Sequence, residues 1–538
     1  MALHVGNVEL EGCESPVAAL LQRLVIAPEE LVAWQVVRKS LDARHGRQLW
    51  RGVCRIEVAN EDEVVARAGA SVRRWTERDD GRYGLTDGAP GAHTWPPGHH
   101  VVVVGAGPAG LFSSLYLAEA GAKVTLIERG GDVDERVAAV NGHWRRRLPL
   151  DPENNILFGE GGAGTFSDGK IYTRRRDGDV GYVMRRFVDF GADPEVLREA
   201  YAHLGTDRVR AILPRHRARL RELGVDVRFH ARVDGLLVKD GRCVGVRLAD
   251  GEEVPATAVF VAAGHSARDT IGMLVRSGAS ARASETAIGA RVEHPQSVID
   301  AGRYGVAHSE ELPPASYRLT FAPETGRSAH TFCMCPGGVV VPASNMEGRC
   351  VVNGMSFASR RAYWANSAVI VEVHPDDYPE PGPLGGYAWQ DVIERACFEA
   401  GGGDGAAPAQ RVPDFLAHRA SEHVPKTSFP LGVRAANLWG LLPEFVCQGM
   451  ADALVAFDKQ LPGFISDEAV LIAPETRTTS PVRFDRSEGG ESATLPGLYP
   501  LGEGAGYGGG IISCALDGLR AAKAVTARDG VRAGQACG

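Results

Sequence analysis

No run of apolar residues in this sequence approaches the roughly 20 needed to cross a bilayer, and the strongest stretches, Val101–Val104 and Ala258–Ala263, are short and strand-like. A membrane-spanning role is therefore not expected. The N-terminus, Met1 to Gly12, lacks the basic start and apolar core of a signal peptide and carries Glu9 and Glu11 instead, so the expected compartment is the cytoplasm. Positive charge is not in excess: 59 Lys+Arg against 67 Asp+Glu leave a net charge of −8. No overall field draws the molecule toward nucleic acid or anionic lipid. Cysteines are sparse, 10 in 538 residues, scattered from Cys13 to Cys537. They form neither a disulfide framework nor a paired zinc set, so no metal site is expected. Internal repeats and extended low-complexity segments are also missing. What the chain does have is glycine, 66 residues of it, which supplies tight turns and close backbone approaches. Its 44% apolar content is enough for a large core in two or three domains.

Along the chain, apolar patterning predicts a strand from Leu3, helices at Pro16–Leu24 and near Leu31–Lys39, and a strand at Gln48–Val58. This reads as a small N-terminal α+β domain, residues 1–80. A stretch dense in Gly and Pro, 81–98, reads as a linker. His100 to Gly110 (HVVVVGAGPAG) is then an apolar strand running into a glycine turn, with a helix from Leu111 to Ala120 and a second strand at Lys123–Arg129. Strands are also predicted at Val225–Asp234, Arg242–Ala249 and Val259–Gly264, and a helix at Ile511–Ala527.

Gly105, Gly107 and Gly110 form G-x-G-x-x-G between strand and helix: the first allows the turn, the second admits a pyrophosphate, the third lets helix and strand pack closely. Pro108 and Ala109 open the helix, whose free N–H groups and positive dipole end can hold a diphosphate. Glu128 closes the second strand, 18 positions after Gly110, where a carboxylate can accept from a ribose hydroxyl. Arg129 follows it. The fingerprint by itself fits FAD and NAD equally. At the other end, LYPLGEGAGYGGGI (Leu498–Ile511) places Gly502, Glu503, Gly509 and Gly510 ahead of the helix starting at Ile511. A fourth glycine-rich piece, FGEGGAGTFSDGK (Phe158–Lys170), offers Gly161, Gly162, Gly164, Thr165, Ser167 and Asp168 as a surface without side-chain bulk.

The C-terminal layout resembles glutathione-reductase-like flavoproteins, in which the acidic residue bonds the ribityl chain and the helix N-terminus faces the flavin edge that gains charge on reduction. On the same resemblance, VAAGHSA (Val261–Ala267), with Ala263 and Gly264, matches the turn beside the AMP half, and Phe229–Val233, with Val233, the strand whose backbone meets adenine. The chain as a whole resembles the FAD-dependent dehydrogenases of bacteria and plastids that carry a small N-terminal domain. The residues that carry this likeness are WQVVRKSLD (Trp34–Asp42), Phe158–Lys170, HLGTD (His203–Asp207), RVEHPQ (Arg291–Gln296), FCMCPGG (Phe332–Gly338), NGMS (Asn353–Ser356), ETRTTSPV (Glu475–Val482) and Tyr499–Gly510. Departures fall at Tyr363 and Trp364, which bear on the substrate pocket, and at Gly508, where the pattern has Ala. The resemblance implies an α/β, Rossmann-like FAD-binding fold of the glutathione-reductase-like kind. The flavin domain would occupy 99–267 and 476–538, with an inserted α+β substrate domain at 268–475.

Reaction residues are then sought in the insert and the glycine cradles. Lys170 and Tyr507 are candidate catalytic neighbours of the flavin. Tyr317, Arg318, His330 and Arg477 can orient a substrate carboxylate or move a proton, although each alone fits a hydrogen-bonding role in the fold more readily. The Cys333-x-Cys335 pair reads as packing rather than a redox couple. Arginines 208, 210, 215, 217, 219 and 221 share one helix and read as a solvated face before an acidic-ligand or RNA site. The leading expectation is a dehydrogenase or oxidase passing hydride between a small organic substrate and FAD. No second fingerprint follows a strand, so NAD(P)H enters only as a transient reductant in the alternative, a double-bond reductase or monooxygenase. A further alternative is an RNA- or protein-binding flavoprotein with non-catalytic FAD. Nothing in the pattern specifies an oligomeric state.

Overall fold

A computed structural model describes residues 2–11, 14–42, 49–175, 177–307 and 312–532. It divides into two compact units, Met1–Ala89 with Lys170–His203, and Pro90–Gly169 with Leu204–Gly538. The sequence reading runs the flavin domain unbroken through 99–267; by contacts, Lys170–His203 groups instead with the N-terminal residues.

The first unit is built on an antiparallel sheet of β1 (Leu3–Leu10), β2 (Leu31–Asp42), β3 (Leu49–Val58) and β4 (Val72–Arg74), in the spatial order β2-β3-β1-β4. Leu3, Val5, Val8 and Leu10 of β1 share a core with Leu20 and Leu24 from the helix Val17–Leu24, and with Cys54 and Ile56 of β3. Here one expectation fails: Leu31–Lys39 is strand, not helix. Register shifts at Leu31/Ala33 and Val36/Arg38 break its alternation, so that Val36 and Val37 are both buried. The expected strand from Gln48 starts at Leu49, Gln48 itself lying outside the described residues.

The second unit contains a five-stranded, all-parallel sheet. Its strands are β5 (Val101–Val104), β6 (Val124–Ile127), β7 (Asp226–Arg228), β8 (Ala258–Val261) and β9 (Leu498–Pro500), in the order β9-β8-β5-β6-β7. Every residue of β5 and β8 is buried, as parallel strands covered on both faces must be. Helix α1 (Pro108–Glu119) follows β5, α2 (Gly205–Glu222) precedes β7, and α3 (Ile511–Asp529) follows β9. The expected strand at Val225–Asp234 is interrupted: His230 takes φ 54°, and a new strand begins at Val233. Ligands of such sheets bind beyond the carboxyl ends of the strands, where Gly105, Gly264 and Gly502 lie.

The insert folds around a seven-stranded sheet with Thr286–Pro295 at its centre, between Trp364–Val373 and Val470–Glu475. Alternation sorts its two faces. Ile288, Ala290 and Val292 join the insert's apolar core with Val369, Val371 and helix Glu444–Gln460. Arg291 and Glu293 point the other way. Among the described residues no helix is long and apolar enough to cross a membrane.

Candidate functional site

Three glycine-rich segments, distant in sequence, close on one another at the N-termini of α1 and α3. At the first turn, a Cβ on Gly110 would lie 1.8 Å from Gly105 O, and one on Gly105 2.5 Å from Ala262 O, so helix α1 presses on β5 and β8 with backbone alone. The Phe158–Lys170 segment then passes directly over this turn: Gly161 N donates to Ala106 O at 2.7 Å, and a Cβ on Gly162 would lie 3.0 Å from Gly107 Cα. Two residues on, a Cβ on Gly164 would meet Ile511 Cγ1 at 3.0 Å, at the start of α3. The helices themselves touch, since a Cβ on Gly518 would lie 2.1 Å from Ala109 O. Neither helix has a side-chain cap at its N-terminus, Gly107 and Gly510 standing there. The first-turn amides therefore remain available to an anion.

Glu128 is buried at the end of β6 and accepts from Ala106 N (2.8 Å), Gly130 N (3.0 Å) and Gly159 N (2.9 Å). A carboxylate has about four acceptor positions, so roughly one is left for a ribose hydroxyl. Arg129 is committed elsewhere, to Glu153 and Asp269, with its guanidinium 4.3 Å above the Phe158 ring. Thr165 Oγ1 donates to Glu160 O, Ser167 Oγ donates to Gly164 O, and Asp168 accepts from Ser356 Oγ, which fixes the loop's shape from inside. Val233 is buried at the head of its strand.

At the opposite end Gly502 N donates to Asp517 Oδ2 at 2.7 Å, and Asp517 is held by Arg486. Glu503 lies 3.5 Å from His265 Nδ1, across the turn from Ala263 and Gly264. His265 Nε2 is buried with no hydrogen-bond partner among the described residues. Beside Gly264, Gly509 and Gly510, a Cβ would meet nothing within 4 Å. Open space along backbone, uncapped helix ends and an orphaned buried ring nitrogen together fit a dinucleotide carrying a flavin.

Sequence reasoning missed the residue that holds this cradle together. Arg136 is fully buried, and its guanidinium donates to the carbonyls of Asn155, Ile156, Gly159, Glu160 and Gly162 and to Thr165 Oγ1. Burial pulls it down to about 9, against the nearby carboxylates of Glu128 and Glu160. It lies on the helix Val133–Arg146, one arginine among several, and no local pattern distinguishes it.

In the insert, the polar face of the sheet is anchored by Arg291, which donates to Glu475 from Nε (2.6 Å) and Nη2 (2.7 Å) and to Asn366 Oδ1 (2.8 Å). Burial lifts Glu475 above the usual carboxylate range, yet Arg291 is held above its own ordinary value by that carboxylate despite its burial. Burial also lifts Glu293 to about 7, with Ser428 donating to it from both N and Oγ. Farther along the same face a cavity of about 240 Å³ is lined by His330, Phe332, Ile370, Glu372, Thr478 and Thr479, with Glu285 and His374 at its edge. The segment that supplies Thr478 and Thr479 continues to Val482, whose carbonyl a Cβ on Gly506 would approach to 2.7 Å.

Of the four candidate catalytic residues, the three in the second unit are not gathered in one place. His330 lines the cavity, its basicity lowered by burial and partly restored by Glu372. Tyr507 lies in the C-terminal turn, with its ring 3.5 Å from Arg486 and its hydroxyl donating to Phe484 O at 2.9 Å. Arg318 is exposed and does not line the cavity. Lys170 belongs to the first unit, where it bridges to His203. Tyr317 and Arg477 are buried on internal partners, Ser367 and Glu394. Cys333 and Cys335 are free thiols, as are the other cysteines among the described residues. The arginine-rich helix α2 turns Arg217 onto Asp132 and Glu160, and Arg210 onto the Phe166 ring, leaving Arg208, Arg215, Arg219 and Arg221 on a solvated face. No group of three or more potential metal ligands occurs among the described residues.

This arrangement defines a Rossmann-like flavoprotein, and comparison with known proteins agrees. Residues 99–142 match an FAD binding domain, and residues 285–478 match the family described as "FAD-dependent protein, C-terminal domain-like". An "Uncharacterized protein" of Clostridium beijerinckii is 42% identical over 427 residues, 78% of this chain and 80% of that one. The chain belongs to this family of FAD-dependent proteins, and FAD is its cofactor. Among solved structures it has distant likenesses to CtdE in complex with FAD (12% identical, TM-score 0.30, 79% of this chain and 82% of that one). A geranylgeranyl bacteriochlorophyll reductase-like protein of Thermoplasma acidophilum is similarly remote (13%, TM-score 0.33, 82% and 80%).

Proposed function

We propose that the protein is an FAD-dependent dehydrogenase or oxidase of a small organic metabolite bearing a hydroxyl or amine, with a glutathione-reductase-like cradle for the cofactor. The observation that carries this reading is the convergence of the Gly105–Gly110, Gly161–Gly164 and Gly502–Ile511 segments on two uncapped helix ends. In it, the N-terminus of α1 with Gly105, Gly107 and Gly110 receives the diphosphate, Glu128 the ribose, and Glu503 with the N-terminus of α3 the flavin end. When bound, FAD supplies a two-electron acceptor that takes hydride at N5.

The insert cavity is the substrate pocket of this reading. Its lining holds two carboxylates and two imidazoles but no Lys or Arg, so it suits an alcohol or amine rather than a carboxylate. Phe332 and Ile370 cover the apolar part of such a molecule. His330, its proton affinity lowered by burial, accepts the substrate's hydroxyl or ammonium proton at an imidazole nitrogen, and Glu372 stabilises the imidazolium that forms.

An anaerobic screen of the holoprotein tests the proposal by following flavin absorbance with alcohols, amines, carboxylates, NADH and NADPH. Bleaching by an alcohol or amine, slowed about 10²-fold in His330→Ala at unchanged flavin content, is the expected result. Bleaching by NADPH alone, with every metabolite inert, would replace this reading with the reductase or monooxygenase one.

A further inference from the structure

The first unit contains a second cavity, of about 410 Å³, within the size range of small-ligand sites. Its walls come from six separate stretches of chain: β1, β2 just past its second bulge, β3, the helix end at Arg82, and the segments around Tyr172 and Tyr201. They bring five cations to it, Arg38, Lys39, Arg51, Arg82 and Arg174, and no acidic residue. Two of the five are neutralised from outside. Lys39 reaches Glu195 at 2.6 Å and Glu14 at 3.3 Å, and Arg51 reaches Glu9 at 3.4 Å. Arg38, Arg82 and Arg174 have no such carboxylate among the described residues.

Arg38 is the most constrained of them. It is half-buried, gives one hydrogen bond to Ala200 O at 3.1 Å, and is pulled below the ordinary guanidinium range by burial and then by the positive charge of Arg82. Facing one guanidinium toward another without a counter-charge is costly in a partly dry site, unless an anion normally lies between them. At the same mouth Tyr201 is 66% exposed and meets Tyr172 edge-on, with ring centroids 5.2 Å apart. An exposed aromatic beside a ring of cations is the composition that binds a base by stacking and its phosphates by charge.

We propose that this cavity binds a nucleoside phosphate, with the phosphate on Arg38, Arg82 and Arg174 and the base against Tyr201 and Tyr172. The concavity is lined by six chain segments and is of single-nucleotide size, so the ligand is a small molecule rather than a strand tracked along a groove. The site is independent of the reading given above for the flavin unit.

Calorimetry on the FAD-loaded protein, with ADP, adenosine, inorganic phosphate and a single-stranded RNA oligomer as probes, tests this. ADP should bind, raise the Tm and bind less tightly as salt rises, while adenosine binds far more weakly. Arg38→Gln and Arg82→Gln should each weaken ADP by about tenfold or more at unchanged flavin content, as loss of a charge-assisted bond requires. Both variants should also keep or raise the Tm without ligand, because each removes one member of a repelling pair; Arg82, at a helix end rather than within the sheet, guards against a folding defect in Arg38→Gln. Tyr201→Ala should weaken ADP several-fold and leave inorganic phosphate unchanged. Three results would each overturn the proposal: no ADP binding, ADP binding indifferent to both arginine variants, or an RNA oligomer bound much more tightly than ADP with affinity growing with its length.

Discussion

The two glycine turns of the flavin unit look alike in sequence and differ in what lies beside them. At Gly105 and Gly110 the space a side chain would need is taken by the protein's own backbone, Ala262 O beside Gly105 and Gly105 O beside Gly110, while a Cβ on Gly107 would meet only Gly162 Cα at 3.8 Å. The second turn begins the same way, with Gly264 O beside Gly504 and Val482 O beside Gly506. It then changes character: Gly509 and Gly510 border open space. Gly510 still needs glycine for its φ of 78°, but Gly509 has neither a positive φ nor a neighbour. So most of these glycines are required by the fold, and two, Gly107 with its φ of −78° and Gly509, are left for which only a bound molecule supplies a reason. A glycine motif therefore does not by itself separate a folding requirement from a binding one.

Substitutions should separate them, and the largest effect belongs to the first turn. In Gly110→Val the new Cβ would lie 1.8 Å from a backbone oxygen, so helix and strand must part. The expected loss of stability exceeds about 4 kcal/mol, in the range reserved for core disruption, and the protein should be recovered without flavin or not at all. Thermal unfolding and the flavin-to-protein absorbance ratio check this together. Next comes Arg136→Met, which strips the donor from the carbonyls of Gly159, Glu160 and Gly162 in the loop that touches both turns. Leaving these groups without their partner should cost about 3 kcal/mol and release the loop, seen as faster amide exchange at Gly161–Thr165 and weaker flavin retention. If Arg136→Met lowered stability but kept the flavin fully bound, the loop would not belong to the cradle.

How far the sequence spoke for these features follows from how local each one is. The strand, glycine turn and helix of Val101–Glu119, and the helix after Gly510, are legible because period, turn residues and helix start all fall within a few positions of one another. β2 departs from the expected helix, and the bulge at Val36/Arg38, which leaves the adjacent Val36 and Val37 both buried, breaks the two-residue alternation that marks a strand. On a helix Arg38 and Lys39 would read as a solvated basic face; only the bulged strand turns both into the wall of a cavity. Arg136 and the grouping of Lys170–His203 with the N-terminal sheet are consequences of long-range packing and have no local signature. The same holds for the candidate reaction residues: residue type nominated His330, Arg318 and Tyr507 equally, and only packing put His330 in a cavity, Arg318 in solvent and the Tyr507 hydroxyl on Phe484 O.

The smallest effects sharpen the comparison most, because they lie within the second turn. Gly510→Ala forces a side chain into a positive-φ, extended conformation (φ 78°, ψ 175°) and should cost about 1–3 kcal/mol whether or not flavin is present. Gly509→Ala adds a methyl group to open space at an ordinary φ, so apo-protein stability should stay within about 0.5 kcal/mol of the parent. On the proposed binding geometry that methyl group would lie where the flavin end is received. Its signature is thus a shift of the flavin absorbance band and weaker FAD binding in titration of apoprotein, with the apo Tm unchanged. If FAD affinity and spectrum were both indifferent to Gly509→Ala, the open space would belong to no part of the cofactor. The second turn would then be related to the first by its glycines alone.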